Sequence, residues 1–170
     1  METIRIGVSS CLMGNKVRYD GGHKHNRYLT DVLGEHFELV IVCPEAEVGM
    51  GIPRETVRLE GELDAPSMIA PKSGADWTKR MNSYARQRCI ELAKEDLSGF
   101  VFKKRSPSCG LFRVPVVQKN GHPLAQGRGL FAAEFARRFP LVPCEEEGRL
   151  SDPHLRENFI ERVFAFARVK

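Results

Sequence analysis

The most informative stretch of this chain is Gly99-Phe100-Val101-Phe102-Lys103-Lys104-Arg105-Ser106-Pro107-Ser108-Cys109-Gly110. Its apolar beginning predicts a short buried strand. The remainder predicts a loop, because Ser-Pro and Cys-Gly are turn-forming pairs, and the preceding cations favour a thiolate or another anion beside them. Two interpretations of the cysteine are open: a functional thiol delivered to the end of a strand, or an idle thiol in a surface turn.

A cysteine also follows each of two earlier strand patterns. An alternating segment predicts a first strand over residues 4–9, and Cys11 comes after it in a loop of small residues. A second predicted strand, over residues 37–42, ends at Cys43, with Glu45 two positions on. Because the carboxyl ends of parallel strands meet at one edge of a sheet, we expect Cys11, Cys43 and Cys109 to converge there.

The other segments complete an alternation of strands and helices. Helical spacing of apolar residues is found over 26–35, 76–97 and 130–139, and again from Asp152, which resembles an N-cap. Extended segments are predicted over 112–117, before the turn at Asn120-Gly121, and over 141–143, ending at Cys144, whereas residues 55–71 predict a short edge strand at most. Gly127-x-Gly129 either begins the following helix or forms a phosphate loop. The alternation predicts a single α/β domain, a mainly parallel sheet flanked by helices.

Length and composition narrow the class of protein. A chain of 170 residues is long enough to bury one core. Its five cysteines are scattered and no signal peptide is visible, so we expect a reducing, cytoplasmic location. No apolar run is long enough to span a membrane. The net charge of +4 permits a polyanionic partner without requiring one.

The cysteines predict a soft metal site. Thiolates favour zinc or iron-sulfur centres, and three cysteine ligands leave one coordination position open for a substrate. If Cys144 supplied a fourth ligand, the site would be closed and structural. His23 and His25 are further candidate ligands, although they lack a partner at a matching spacing and are better explained as solvated loop residues. Cys89 lies on the apolar stripe of the 76–97 helix, which indicates core packing.

Several short motifs occur together in a fixed order. They are Val8-Ser9-Ser10-Cys11-Leu12 with Arg18-Tyr19-Asp20-Gly21, Cys43-Pro44-Glu45 with Gly49 and Pro53-Arg54, Lys103-x-x-Ser106-Pro107-Ser108-Cys109-Gly110, and Glu147-Gly148-Arg149-Leu150. In this order they resemble the TudS-type desulfidases, the thiouracil and thiouridine desulfidases first catalogued as a bacterial domain of unknown function. The resemblance spans nearly the whole chain.

This resemblance implies a fold, a cofactor and a reaction. The fold would be Rossmann-like and would hold a [4Fe-4S] cluster on Cys11, Cys43 and Cys109. Its open iron would take the exocyclic sulfur of a thiolated pyrimidine such as 2-thiouracil, 4-thiouracil or 4-thiouridine. Water would replace that sulfur, which leaves as sulfide, without net electron transfer. The resemblance also implies that Glu45 and Ser106 are the catalytic residues.

The chemistry of neighbouring side chains suggests further roles. Ser106 can hydrogen-bond the pyrimidine or relay a proton, and Ser108 is a second candidate for substrate binding whose alternative role is to hold the turn. Arg54 and Lys103 are candidate anchors for a base or phosphate, although such cations often only face solvent. Longer relatives carry a helical domain after this one and remove 4-thiouridine from transfer RNA. In those relatives the helix from about residue 152 would lead into that domain. Two alternatives therefore stay open for this chain, a single-domain member that acts on free thiobases, or part of a larger protein for which transfer RNA would be a partner.

Two other functions fit the same residues. An iron-sulfur module for electron transfer or redox sensing would have all coordination positions filled and would not need Glu45. A cysteine-nucleophile transferase would use Cys109, activated by Lys103 and Lys104, without any metal. The residues leave open which thiolated base is preferred, and they leave the oligomeric state open as well.

Overall fold

The computed structural model describes residues 3–13, 33–51 and 53–170, with the backbone alone at Cys11 and Met13. The strands are β1 (Arg5–Ser9), β2 (Glu38–Val42), β3 (Arg58–Gly61), β4 (Pro66–Ile69), β5 (Leu97–Phe102), β6 (Val114–Val117), β7 (Pro123–Gly127) and β8 (Cys144–Glu146). The α-helices are α1 (Gly34–His36), α2 (Thr78–Ala93), α3 (Leu130–Arg138) and α4 (Pro153–Val169). Short 3₁₀ turns cover Ser10–Met13 and Arg149–Ser151, and an irregular helical segment covers Ala46–Met50.

The first sheet confirms the predicted α/β fold. Its strands are ordered β2-β1-β5-β8, and each neighbouring pair is parallel. From β1 the chain goes to β2 on one side and later returns to β5 on the other side, so the strand order reverses between β1 and β5. Ligands of open parallel sheets bind at the carboxyl edge beside such a reversal.

Helices cover both faces of this sheet. On one face, Phe100 and Phe102 of β5 pack against α2 and α3. On the other, Val101 packs with Phe159 and Val163 of α4. This alternation follows from the two-residue repeat of a strand. Burial of Met81, Ala85, Cys89 and Leu92 on α2 confirms the predicted apolar stripe.

A second sheet departs from the sequence prediction. Its strands are ordered β4-β3-β6-β7, with β3 and β6 parallel and the other pairs antiparallel. Residues 55–71, for which the sequence predicts a short edge strand at most, instead contain two strands: β3 pairs on both sides, and β4 is the first strand in the order of the sheet. Strands of four residues, with only alternate side chains buried as in β4 and β6, give too short a pattern to be recognised. The predicted turn at Asn120-Gly121 is confirmed, because it joins β6 to β7. The Gly121 N–H donates a hydrogen bond to the Gln118 carbonyl at 2.9 Å and closes the turn.

The last strand is shifted along the chain from its predicted place. We expected a strand over residues 141–143, but Leu141 is 81% exposed and β8 begins at Cys144, opposite Phe100. Cys144 thus lies within the strand, beside the core, and its thiol donates to the Val142 carbonyl at 3.4 Å. Burial raises the pKa of Cys144 to about 12. The carboxyl edge of the strand is instead formed by acidic residues, which a strand pattern does not predict.

The remaining predicted elements are partly described. The N-cap is confirmed, because Asp152 Oδ1 accepts the N–H of His154 at 2.9 Å and α4 starts at Pro153. Most of the predicted 26–35 helix, the Arg18–Gly21 motif, His23 and His25 lie outside the described residues. No helix in the described ranges is both long enough and apolar enough to cross a membrane.

Candidate active site

A cleft of about 290 Å³ opens at the carboxyl edge of the parallel sheet, where the strand order reverses. It is formed by residues that follow β1, β2 and β5, together with the segment before β3. The lining residues are Ser9, Ser10, Val42, Cys43, Pro44, Glu45, Arg54, Thr56, Val57, Lys103, Lys104, Arg105, Ser106, Pro107, Ser108 and Cys109. The structure therefore brings Cys43 and Cys109 to one cleft, and the backbone of Cys11 directly follows the lining residue Ser10.

The loop that carries Cys109 is closed on itself by a serine. Ser106 Oγ accepts hydrogen bonds from the N–H groups of Ser108, at 3.2 Å, and Cys109, at 3.0 Å. The Gly110 N–H donates to the Ser106 carbonyl at 2.8 Å. The turn expected from Ser-Pro-Ser-Cys-Gly is thus built around Ser106, whose side chain takes the place of a backbone acceptor.

The same loop is fastened to the first turn of α3. The N–H groups of Leu130 and Phe131 donate, at 3.0 Å each, to the carbonyls of Pro107 and Ser108. The free amides of a helix N-terminus are what an anion would bind, and here loop carbonyls occupy them. Gly127-x-Gly129 therefore begins a helix and is not a phosphate loop.

Gly129 permits this close approach. A Cβ at this position would lie 2.5 Å from the carbonyl carbon and oxygen of Ser108, which are backbone atoms that cannot rotate away. We expect Gly129→Ala to lower the free energy of unfolding by about 1–3 kcal/mol, measured by denaturant titration, because the helix and loop must separate. Gly148→Ala is the matched control, since its nearest neighbour is the flexible Lys104 side chain at 3.0 Å. Equal stability of the two variants would contradict this account.

The loop that carries Cys43 is held from α2 through a glutamate. Glu47 Oε2 accepts the Cys43 N–H at 2.7 Å, while Glu47 Oε1 accepts from the Tyr84 hydroxyl at 2.6 Å. Arg88 Nε lies 3.0 Å from the same oxygen. Burial, and then the Glu47 carboxylate, raise the pKa of Tyr84, so the hydroxyl remains a donor. Sequence reasoning missed Glu47, because two of its partners, Tyr84 and Arg88, lie far along the chain.

Glu45 is the carboxylate that faces the cleft. Its Oε2 accepts a hydrogen bond from the Ser108 hydroxyl at 2.8 Å, and its Oε1 lies 3.3 Å from Arg54 Nε. The Ser108 and Ser106 hydroxyls are 3.0 Å apart. The side chains are largely buried, with 15% of Glu45 and 5% of Arg54 exposed. Ser108, the lesser serine candidate from the sequence, is thus the one that contacts Glu45, while Ser106 touches it only through Ser108.

Lys103 lines the cleft, and its ammonium group forms an ion pair with a glutamate. Lys103 Nζ lies 3.4 Å from Glu147 Oε1 and donates to the Lys104 carbonyl at 3.1 Å. Its backbone N–H donates to the Ser9 hydroxyl at 3.0 Å, which joins the ends of β5 and β1. Arg54 and Lys103 are therefore both paired with carboxylates at the cleft and do not simply face solvent.

The thiols differ in their surroundings. Burial raises the pKa of Cys43, partly offset by a backbone hydrogen bond and by the Arg54 charge. Burial also raises the pKa of Cys89 to about 12, because this thiol lies on the buried face of α2, within the hydrophobic core. Cys109 is buried in the same core cluster as Cys89, but it also lines the cleft together with Cys43, whereas Cys89 and Cys144 are not among the lining residues.

The donor set of the cleft fits an iron-sulfur centre. Cys43 and Cys109 supply the soft sulfur donors that such centres use. Among the side chains that the structure describes, which exclude that of Cys11, no group of three His, Cys, Asp or Glu residues is arranged to hold a metal ion. Cys11, the third ligand predicted from the sequence, follows the neighbouring strand β1, and its side chain lies outside the described part of the structure.

The fold and the cleft together define the class of protein: it is an α/β protein whose thiol-lined site lies where the strand order of the parallel sheet reverses. The chain belongs to the 2-thiouracil desulfurase family, whose model matches residues 6–147. It is 32% identical over 110 residues to the uncharacterized protein YbbK of Bacillus subtilis, covering 62% of this chain and 72% of that protein. The solved structure of the [4Fe-4S]-dependent thiouracil desulfidase TudS is similar, with a TM-score of 0.73 and 28% identity over 92% of this chain and 97% of the other. The resemblance deduced from the motifs is thereby confirmed.

Proposed function

We propose that the protein is an iron-sulfur desulfidase that converts a thiolated pyrimidine to the oxo base and releases sulfide. Family membership and the likeness to a [4Fe-4S]-dependent thiouracil desulfidase support this function. The observation that carries it is the meeting of Cys43 and Cys109 with Glu45 in one cleft. Soft ligands for a metal and a group able to move protons thus face the same space.

Cys11, Cys43 and Cys109 would hold the cluster as thiolates. When bound, the cluster supplies a Lewis acid with affinity for sulfur, and three protein ligands leave one position for the substrate. Because thiolates are the ligands, binding includes the loss of a proton from Cys43, whose pKa burial raises. Cys144, the alternative fourth ligand, packs in the core two residues before the carboxyl edge of the sheet.

Glu45 is the proposed general base and acid. It takes a proton from the water whose oxygen replaces the sulfur and returns a proton to the departing sulfide, so that thiobase and water become oxo base and hydrogen sulfide. The Ser108 hydroxyl and Arg54 hold the two oxygens of this carboxylate in place. Ser106, bonded to Ser108, extends the hydrogen-bonded chain and can pass the proton onward. No electrons enter or leave, which makes the reaction hydrolytic.

The size and walls of the cleft suit one base. Val42, Pro44, Val57 and Pro107 provide apolar surface for a flat ring, and the volume is at the small end for ligand cavities. Ser108, Arg54 and Lys103, which line the cleft, are the proposed polar contacts with the substrate. The substrate is a free thiobase or its nucleoside, and transfer RNA is a candidate only for a longer protein with a further domain.

Anaerobic purification with iron and sulfide analysis, followed by assays of sulfide release, tests this function. We expect a coloured protein that releases sulfide from 2-thiouracil or 4-thiouridine. If the protein were active although iron-free and colourless, and if alkylation abolished that activity, the result would instead indicate a cysteine nucleophile. A bound cluster without sulfide release from any thiolated pyrimidine would indicate an electron-transfer module.

A further inference from the structure

Two consecutive carboxylates at the end of β8 hold the loop that carries Cys109. Glu147 Oε1 accepts the N–H of Lys104 at 2.8 Å, near the start of the loop. Glu146 Oε2 accepts the N–H groups of Leu111, at 2.9 Å, and Phe112, at 3.2 Å, at its end. The chain between β5 and β6 is thus fixed at both ends by one short strand.

The arrangement follows from strand geometry. Glu146 pairs with Phe102 at the end of β5, and the Glu147 N–H continues the ladder by donating to the Phe102 carbonyl at 3.2 Å. Consecutive side chains of a strand point to opposite faces, so the two carboxylates reach the loop from different sides. Both residues are buried, and a buried carboxylate is tolerated where N–H groups are bonded to it.

The geometry points to Glu146 and Glu147 as positioning residues for the Cys109 loop. They determine where the side chains of this loop that face the cleft lie, namely those of Ser106, Ser108 and Cys109. Neither acts on the substrate; both act through the backbone of the loop. The contact that depends on them is the 2.8 Å hydrogen bond from Ser108 to Glu45. A displacement of about 1 Å at a reacting centre can lower a rate about 10²-fold. The kinetic part of this inference rests on the proposed function, whereas the structural part does not.

Glu145 provides a matched control on the same strand. Its carboxylate is similarly buried, but it binds Arg149 Nε at 2.6 Å, accepts the Glu146 N–H at 3.0 Å and lies 3.9 Å from Arg162 Nη2. It therefore contacts the backbone of β8 and not the N–H groups of the Cys109 loop. Glu146 offers the cleanest test, because in the described part of the chain its carboxylate forms no ion pair and binds backbone N–H groups alone. Glu147 also pairs with Lys103, so its replacement changes a charge in the cleft as well.

The experiment compares Glu145→Gln, Glu146→Gln and Glu147→Gln, with the corresponding alanine variants as a graded series. Glutamine keeps the side-chain volume and one acceptor oxygen, so it tests the charge and geometry if an alanine variant does not fold. Hydrogen exchange, followed by mass spectrometry on peptides covering 103–112, is measured with and without iron. Kinetics use 2-thiouracil and anaerobically purified, iron-loaded protein.

Glu146→Gln and Glu147→Gln are expected to speed exchange in 103–112 about tenfold, since a neutral acceptor replaces a charge-assisted one. Both variants should lower kcat about tenfold. For Glu146→Gln we expect KM to change less than about threefold, because this variant leaves the charged side chains that line the cleft unchanged. Glu145→Gln should lower the melting temperature without either effect. The inference would be overturned if residues 103–112 of the Glu146→Gln and Glu147→Gln variants exchanged at the wild-type rate. It would also be overturned if kcat were unchanged although exchange was faster. If even the wild type released no sulfide, the proposed function would fail, while faster exchange would still support the anchoring of the loop.

Discussion

Replacing Glu45 by glutamine is expected to lower the rate of sulfide release from 2-thiouracil by about 10²–10⁴-fold, the usual contribution of a positioned acid or base. Glutamine keeps the shape of the side chain and can still accept from the Ser108 hydroxyl, but it cannot take a proton from water. The iron content should stay at the wild-type value, because Glu45 is not among the expected ligands. Single-turnover kinetics and iron analysis on the same preparation measure both quantities.

Glu134→Gln is the control for this experiment. Glu134 is exposed to the same 15% as Glu45 and is likewise paired with an arginine, Arg137, but it lies on α3 away from the cleft lining. It should keep the wild-type rate. If Glu45→Gln released sulfide at the wild-type rate, Glu45 would not be the general base and acid of the reaction. Loss of iron from that variant would assign Glu45 to holding the cluster.

The second large effect is expected for the cysteines at the strand ends. Single replacement of Cys11, Cys43 or Cys109 by alanine should abolish the visible absorption, the bound iron and the activity together, because loss of one thiolate ligand leaves the cluster incompletely held. Folding should survive in each variant, which circular dichroism can establish. The result would link the three loops to one metal centre.

Cys89→Ala and Cys144→Ala serve as controls, since these thiols pack in the core between the helices and the sheet. Both should keep iron and sulfide release, with a moderate loss of stability from the small cavity that each leaves. Loss of the cluster from Cys144→Ala would mean four thiolate ligands and a closed centre. In that case the electron-transfer function would replace the desulfidase.

Strands β1, β2 and β5 of the parallel sheet could be predicted because they are long enough to show a pattern, whereas the three-residue β8 was misplaced. β5 is buried along its whole length, and β1 and β2 each lead into a loop with a cysteine, so the position of Cys43 and Cys109 followed from topology. The second sheet could not be predicted, because its strands of four or five residues gain their order from pairing across distant parts of the chain.

The hydrogen bonds that shape the cleft were less accessible to sequence reasoning. Ser106, Ser108 and Glu45 were candidates, yet which hydroxyl meets the carboxylate depends on the turn that Ser106 closes. Glu146 and Glu147 were assigned no role from the sequence, in which Glu147 was only the first residue of the Glu147-Gly148-Arg149-Leu150 motif. Their burial became visible only when the pairing of β8 with β5 placed them beside the loop N–H groups.

The acidic strand β8 also has a consequence for how copies of the protein meet. In the described residues β8 is the last strand of the parallel sheet, with β5 on one side only. A terminal strand presents unpaired backbone groups that can recruit a strand from another molecule and start aggregation. A strand of three residues whose end carries inward-pointing carboxylates is a poor template for such addition. The groups that hold the Cys109 loop therefore also protect this edge of the sheet against pairing with a strand from another copy.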